Sequence, residues 1–148
     1  MKKLKLTILA AAIMTASSLA NAIPNTCNGH AVTIYGSDGN DVIHGTAGND
    51  VIHSGPGNDV IYGDGGNDII CAGKGNDSVF GNAGNDVLFG GDGADYLFGN
   101  KGDDALIAGK GRDHLEGGRG QDLLQGGQNT DTCVMQGADF PVSCEVLR

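Results

Sequence analysis

The sequence predicts an all-β protein: a parallel β-roll, in which two sheets form a solenoid of eleven nonapeptide repeats between short caps. A nine-residue period runs through residues 36–134 without an insertion or deletion. Glycine supplies 27 of the 148 residues, well above the roughly 7% of an average protein. Tryptophan is absent and aromatic residues make up only 5% of the chain, so large side chains cannot fill a wide interior. These observations favour a thin, repetitive core.

The nine-residue units, or nonads, share one residue pattern. Counted from Gly36, position one is Gly, Ala or Ser in all eleven units, position four is Gly in ten, and position eight is Ile, Val or Leu in ten. The exceptions at positions four and eight are Asn129 and Cys133, both in the last unit. Position six is always aspartate, at Asp41, Asp50, Asp59, Asp68, Asp77, Asp86, Asp95, Asp104, Asp113, Asp122 and Asp131.

Each nonad is predicted to consist of a six-residue turn and a three-residue strand. Glycine at positions one and four permits the positive φ angles of a tight turn. Side chains alternate along a strand, so position eight points to one side and positions seven and nine to the other. Two nonads complete one coil, which stacks the strands in parallel about 4.8 Å apart around a core of position-eight aliphatic residues. A helix is excluded because each recurring glycine would cost about 1 kcal/mol.

The aspartates are predicted to form two columns, because nonads two apart in sequence lie on the same edge of the roll. Stacked carboxylates repel each other and oppose folding unless a cation lies between them. Ca²⁺ suits such sites, since it accepts six to eight oxygen ligands in flexible geometry, including the carbonyls of turns. Five gaps on one edge and four on the other allow at most nine sites between coils.

Two alternatives concern the polar turn residues. A single aspartate at position six could serve as a turn former that hydrogen-bonds nearby backbone amides, although eleven in strict register favour the metal. Asparagine fills position five in the first six nonads. We expect it to be a turn residue whose carbonyl faces the metal.

The repeated pattern resembles the RTX, or haemolysin-type, calcium-binding repeat, which reads G-G-x-G-x-D-x-U-x. The resemblance covers residues 36–134. It implies that turns pair across coils around Ca²⁺, with the Asp side chain and turn carbonyls as ligands. Because the eleventh nonad departs from the pattern, the implication does not extend to Asp131. The implied metal ligands are Asp41, Asp50, Asp59, Asp68, Asp77, Asp86, Asp95, Asp104, Asp113 and Asp122.

The N-terminal residues predict a secreted protein. Three lysines precede an apolar run over residues 6–14, and Ala20-Asn21-Ala22 follows. This pattern is typical of a signal peptide cleaved after Ala22, and the apolar run is shorter than the ~20 residues of a membrane-spanning helix. The predicted organisation is a signal peptide over 1–22, an N-terminal cap over 23–35, the β-roll over 36–134 and a C-terminal cap over 135–148.

Four cysteines in a secreted chain predict two disulfides. Cys71 occupies position nine and should face outward, so we hypothesise a bridge to Cys27 in an N-terminal arm lying along the outside of the roll. Cys133 and Cys144 would then close the C-terminal cap. Three pairings remain open from sequence alone. Residues 31–35 are predicted to form a strand, with Ile34 in the position-eight register.

Charge and motifs exclude several classes of function. The net charge of −9 becomes −12 when residues 1–22 are removed, because they hold three basic and no acidic residues. Such a charge argues against binding nucleic acid or an anionic membrane. We predict no enzymatic activity, because His44 and His53 fall on opposite faces and neither H-E-x-x-H nor G-x-S-x-G occurs.

The predicted function is that of a secreted calcium-binding protein whose roll folds on binding Ca²⁺, with a structural, adhesive or interaction role. The outward positions seven and nine form apolar ladders, which predict self-association or a surface partner. An ice- or surface-binding array and an accessory module of a secreted enzyme are the alternatives. Position three lacks a repeated threonine, so we expect no thermal hysteresis.

Overall fold

The computed structural model describes residues 26–147, and this part of the chain contains strands and turns but no helix. The predicted signal peptide lies outside the described residues. Among those described, there is accordingly no helical segment with the length and apolarity to cross a membrane. The strands are β1 (Thr26–Cys27), β2 (His30–Ala31), β3 (Ile34–Tyr35), β4 (Val42–His44), β5 (Val51–Pro56), β6 (Val60–Tyr62), β7 (Ile69–Lys74), β8 (Ser78–Ala83), β9 (Val87–Asp92), β10 (Tyr96–Lys101), β11 (Ala105–Lys110), β12 (His114–Arg119), β13 (Leu123–Gln128), β14 (Thr132–Val134), β15 (Phe140–Val142) and β16 (Glu145–Leu147).

Two parallel sheets of seven strands each confirm the predicted β-roll. Sheet one has the order β16-β14-β12-β10-β8-β6-β4, and sheet two has the order β15-β13-β11-β9-β7-β5-β3. Within the repeat region, paired residues lie one coil apart, as Leu97 pairs with Leu115 in sheet one and Leu106 with Leu124 in sheet two. Residues at the same position of the repeat therefore stack directly on one another in successive coils.

A single column of aliphatic side chains fills the space between the sheets. Every position-eight residue is buried, including Cys133 where the aliphatic pattern ends. Position one is also buried where it carries a side chain, at Ser54, Ala72 and Ala108. Burial of each large aliphatic side chain stabilises the roll by about 1.5–3 kcal/mol. The position-eight column is Ile43, Ile52, Ile61, Ile70, Val79, Leu88, Leu97, Leu106, Leu115, Leu124 and Cys133.

The central strands are longer than predicted. β7 to β13 each have six residues, covering positions seven to nine and then one to three of the next nonad. The ladder continues because residues at position two pair directly across coils, as Gly73 does with Gly91 in sheet two and Asn82 with Asn100 in sheet one. The predicted division into a six-residue turn and a three-residue strand is therefore wrong for this region. Only positions four to six form the turn.

The structural reasons for glycine at the conserved positions also differ from the prediction. Positive φ occurs at positions two and four rather than one and four. A Cβ on Gly75, at position four with φ of 127°, would overlap the Gly57 carbonyl one coil earlier. Asn129 keeps the same conformation with φ of 82°, since asparagine tolerates this region better than most residues. Position one needs a small residue because the Asp carboxylate lies beside it, as Asp68 does beside Gly63.

Both ends of the roll are tied by disulfides, in the pairing hypothesised from the sequence. Cys27 is bonded to Cys71, which places the antiparallel β1–β2 arm against β5 and β7 of sheet two. Cys133 is bonded to Cys144. Ile34 pairs with Ile52 and packs on the core, which confirms its register. The predicted strand over 31–35 is divided between β2 and β3, and β15 and β16 extend both sheets through the predicted C-terminal cap.

Candidate metal sites

The position-six aspartates lie at the end of each three-residue turn, immediately before a strand. Their side chains point inward, next to the aliphatic column, and not toward solvent. Asp77 and Asp122 are 0% exposed, and each of the others from Asp50 to Asp131 is also buried. A carboxylate in such a place needs hydrogen bonds or a cation to offset its lost hydration.

From Asp59 to Asp131, one oxygen of each position-six carboxylate is satisfied by the neighbouring coil. The backbone N–H of Asp59 donates to Oδ1 of Asp77 at 2.8 Å, and the N–H of Asp77 donates to Oδ1 of Asp95 at 2.9 Å. On the other edge, the N–H of Asp68 donates to Oδ1 of Asp86 at 2.8 Å. The structure thus brings aspartates of alternate nonads together in the two predicted columns.

The second oxygen has no such partner. Nine Oδ2 atoms are buried without a hydrogen bond in the described part of the chain. An unsatisfied buried acceptor costs about 1–3 kcal/mol, and a charged one costs more. The nine belong to Asp59, Asp68, Asp77, Asp86, Asp95, Asp104, Asp113, Asp122 and Asp131.

Backbone carbonyls approach the same space. A Cβ on Gly63 would lie 2.5 Å from Asp68 Oδ2 and 2.8 Å from the carbonyl oxygen of Gly81, one coil further on, so both oxygens border the space beside Gly63. At Gly90, the corresponding Cβ would lie 2.5 Å from Asp95 Oδ2 and 2.8 Å from the Ala108 carbonyl oxygen. Carboxylate and carbonyl oxygens that converge in this way are the ligand types that Ca²⁺ prefers.

Side chains alone do not complete a site. Within residues 26–147, no group of three or more His, Cys, Asp or Glu side chains is placed to hold a metal ion together. The carboxylates of a column are separated by a full coil, so backbone carbonyls would have to supply most of the ligands. Such a donor set fits a hard cation and excludes a thiolate- or imidazole-based site.

Burial raises the pKa of the inward carboxyls. The pKa rises from 3.8 to about 7 for Asp95 and Asp104, and to about 6 for Asp68 and Asp77. Desolvation is the largest cause in all four, and the backbone hydrogen bond from the preceding coil opposes it. Neighbouring carboxylates raise the pKa further. Without a cation, the ionised form of these inward carboxyls is therefore disfavoured, because the protein does not compensate its negative charge.

The first two predicted ligands have a different environment. Oδ2 of Asp41 accepts hydrogen bonds from the N–H of Ser37 at 2.6 Å and from its hydroxyl at 2.9 Å. Oδ2 of Asp50 accepts the same pair from Thr46, at 2.7 and 2.8 Å. Hydroxyl residues at position two thus satisfy the carboxylates at the N-terminal end of both columns.

The position-five asparagines form a second ladder. Oδ1 of Asn40 accepts from the N–H of Asn58 at 2.8 Å, and Oδ1 of Asn58 accepts in turn from the N–H of Asn76 at 2.8 Å. These side-chain oxygens are turned to the next coil, so they support the turns rather than face the column of carboxylates. Asp103 takes the same role toward the N–H of Gln121.

Sequence reasoning missed one member of the columns, Asp139, and set Asp131 apart as a ligand because its nonad is irregular. Asp131 has its predicted place in the column, where it is buried and accepts from the N–H of Asp113 at 3.0 Å like its predecessors. Asp139 continues the other column, 17 residues after Asp122 instead of 18, and accepts from the Asp122 N–H at 3.4 Å. Gly137, Asp139 and the strand that follows form a twelfth unit, recognisable only if one deletion is allowed.

A β-roll with buried carboxylates stacked at the turns is a structural calcium-binding fold, and a comparison with protein families specifies which one. The model of the RTX calcium-binding nonapeptide repeat matches residues 35–70, 72–106 and 98–133. These ranges span more than half of the chain, which therefore belongs to this family. A search of curated proteins gave no match.

Proposed function

We propose that this calcium-binding β-roll protein is secreted, and that it folds into a rigid structural or interaction module when Ca²⁺ binds between its turns. The observation that carries the proposal is the set of nine buried carboxylate oxygens without a partner. The two disulfides support an oxidising compartment. The predicted signal peptide over residues 1–22 supports the same destination.

The proposed ligands are the predicted aspartates and the carbonyls of their turns. Bound Ca²⁺ would supply the positive charge that the two columns lack. The aspartates at position six from Asp59 to Asp122 would each turn Oδ2 to a cation, and we propose the same for Asp131, whose Oδ2 is also buried without a partner. At the N-terminal end, Oδ2 of Asp41 or Asp50 would bind a cation only if it gave up its hydrogen bonds with Ser37 or Thr46, respectively. At most nine ions would fit between the coils of the eleven nonads.

Binding and folding are coupled in this proposal. Consecutive ligands in a column are 18 residues apart in sequence, so a site exists only when the coils are stacked. The free energy of binding then contributes to the free energy of folding. Extracellular calcium modules typically bind at about 10⁻⁴–10⁻³ M. The chain would therefore stay unfolded at cytoplasmic calcium and fold after export.

The experiment is a far-UV circular dichroism titration of residues 23–148 with CaCl₂, from chelator to about 10 mM, the upper end chosen to exceed the affinity range of such modules. We expect a cooperative transition from coil to β structure that MgCl₂ does not reproduce, because Mg²⁺ requires a stricter octahedral geometry. Full β structure in chelator would instead mean that the disulfides and the aliphatic column suffice, and would contradict the coupling.

A second proposal concerns the outer face of sheet one, for which we propose contact with a second copy of the chain. The rings of His44, Tyr62 and Phe80 are stacked at 4.7 and 5.0 Å, and Phe98 follows at 5.0 Å. Tyr96 beside them is 54% exposed. An apolar ladder of this kind is typical of a contact surface.

Sedimentation of the calcium-loaded protein tests this second proposal. We expect a dimer that Tyr96→Lys dissociates, because the substitution places a charge on the stacked face. Gln125→Lys adds the same charge to the outer face of sheet two and should leave the dimer intact. A strict monomer that also fails to bind an apolar dye would contradict the proposal.

A further inference from the structure

Sheet one carries a hollow on its outer side, where the regular ladder meets the C-terminal segment. It lies at the ends of β10 and β12 and is closed by Gln136 from the turn after β14. Its volume is about 260 Å³, just below the roughly 300 Å³ of the smallest typical ligand pockets. The side chains lining it are Phe98, Asn100, Lys101, Glu116, Arg119 and Gln136.

Two cations lie side by side at this hollow. Lys101 and Arg119 are paired residues of neighbouring strands, about 4.8 Å apart along the ladder. Neither side chain has an ion pair or hydrogen bond with any residue of the described range 26–147. Like charges in directly neighbouring strands are destabilising unless an anion lies between them.

The equivalent column of sheet two shows how this chain neutralises such charges elsewhere. There, Lys74, Asp92 and Lys110 occupy position three of successive coils, with alternating sign. Lys110 Nζ lies 2.9 Å from Asp92 Oδ1. The pair in sheet one is not neutralised in this way, because Glu116, the one carboxylate among the described residues at the hollow, is hydrogen-bonded to Gln136 and forms no ion pair with either cation. The positive charge at the hollow is therefore available to an external anion.

The remaining walls are suited to a ring that carries hydroxyl groups. Phe98 ends the aromatic stack and is only partly covered, so it offers an apolar wall. Glu116 accepts a hydrogen bond from Gln136 Nε2 at 2.9 Å, which orients both side chains at the rim. Asn100 adds an amide. A carboxylate and two amides can bond hydroxyl groups in both directions, as donors and as acceptors.

We propose that this hollow binds the uronic-acid unit of an acidic saccharide. The carboxylate of the sugar would lie between Lys101 and Arg119, and its C–H face would contact Phe98. The hydroxyl groups would bond Glu116 and the amides of Asn100 and Gln136. This site is separate from the turns that hold Ca²⁺, and it gives the roll a ligand of its own.

The test is titration of the calcium-saturated protein with galacturonate, followed by NMR chemical shifts, with neutral galactose and inorganic sulfate as further probes. We expect galacturonate to bind and to shift resonances of Phe98 and Gln136. Lys101→Gln and Arg119→Gln should each weaken binding by about tenfold, the loss that corresponds to one charged hydrogen bond. Lys110→Gln is the matched control, because it removes the same charge from a lysine already paired.

Each other outcome would overturn the assignment. Equal weakening by Lys110→Gln would mean that only net charge matters. If galactose bound as tightly as galacturonate, the two cations would not contribute to binding. If sulfate bound as tightly, the sugar ring would not contribute. Galacturonate binding that Lys101→Gln and Arg119→Gln both retain would mean that Ca²⁺ bridges sugar and turns. Failure of all probes on a folded protein would exclude the site.

Discussion

Replacing Asp77 with asparagine is expected to raise the calcium concentration at half-folding by roughly tenfold, since loss of a charged ligand costs about 1.5–3 kcal/mol. Asp77 lies in the middle of its column, where it accepts from the N–H of Asp59 and donates to Asp95. Its Oδ2 is one of the unpaired oxygens. The substitution keeps the shape of the side chain but removes its charge from the sites on both sides. Circular dichroism during calcium titration measures the shift.

Asp131→Asn and Asp38→Asn are the comparisons for this result. Asp131 is linked to one neighbouring aspartate, Asp113, so its substitution should produce a smaller shift. Asp38 is an exposed residue at position three and controls for the change in net charge, with no shift expected. Equal shifts for Asp77→Asn and Asp131→Asn would argue against sites shared by consecutive coils.

Acidification is expected to stabilise the calcium-free roll, in contrast to the usual acid denaturation. The folded-state pKa is raised from 3.8 to about 7 for Asp95 and Asp104, and to about 6 for Asp68 and Asp77, chiefly by burial. Between these values and 3.8 the folded state binds more protons than the unfolded state. Stability of the metal-free protein should therefore rise as pH falls from about 8 toward about 4, and level off below. His53 acts in the opposite direction, because burial lowers its pKa.

Because the metal-free chain is expected to be largely unfolded at neutral pH, far-UV circular dichroism of protein prepared on a chelating resin measures this effect as a gain of β structure at lower pH values. Asp95→Asn should flatten the pH dependence, since the amide does not titrate. In saturating calcium the direction should reverse, because protons compete with Ca²⁺ for the same carboxylates. A metal-free protein that gains no β structure as the pH falls from about 8 to about 4 would contradict the prediction.

The fold was predictable because the period leaves few choices. Leucine, isoleucine and valine at position eight require an interior, and the strict spacing of Asp59, Asp77 and Asp95 places them on one edge. The outward position of Cys71 was enough to suggest its bridge to Cys27. These inferences use only alternation along a strand and the length of a coil, which are local properties of the repeat.

Other features depend on contacts between coils and could not be predicted from one nonad. The inward direction of the Asp side chains follows from the N–H of the preceding coil, which lies inside the turn. The left-handed conformation at position two was not predicted. It is consistent with the residues found there, which are glycine in most central nonads and Asp64, Asn82 and Asn100 in the others. Asp139 was missed because one residue is deleted before it, so that it lies 17 and not 18 residues after Asp122.

The direction of the ladder between coils makes the two ends of the roll chemically unlike. Each aspartate N–H points to a carboxylate of the coil that follows, so the first coil has spare acceptors and the last has spare donors. The hydroxyl groups of Ser37 and Thr33 donate to the Oδ1 atoms of Asp41 and Asp50 that receive no N–H from a preceding coil, as capping residues do for an α-helix. A roll lengthened by a whole coil in its middle would keep this cap, whereas one shortened from its N terminus would lose it. Growth and loss of repeats are therefore tolerated in the interior and not at the start.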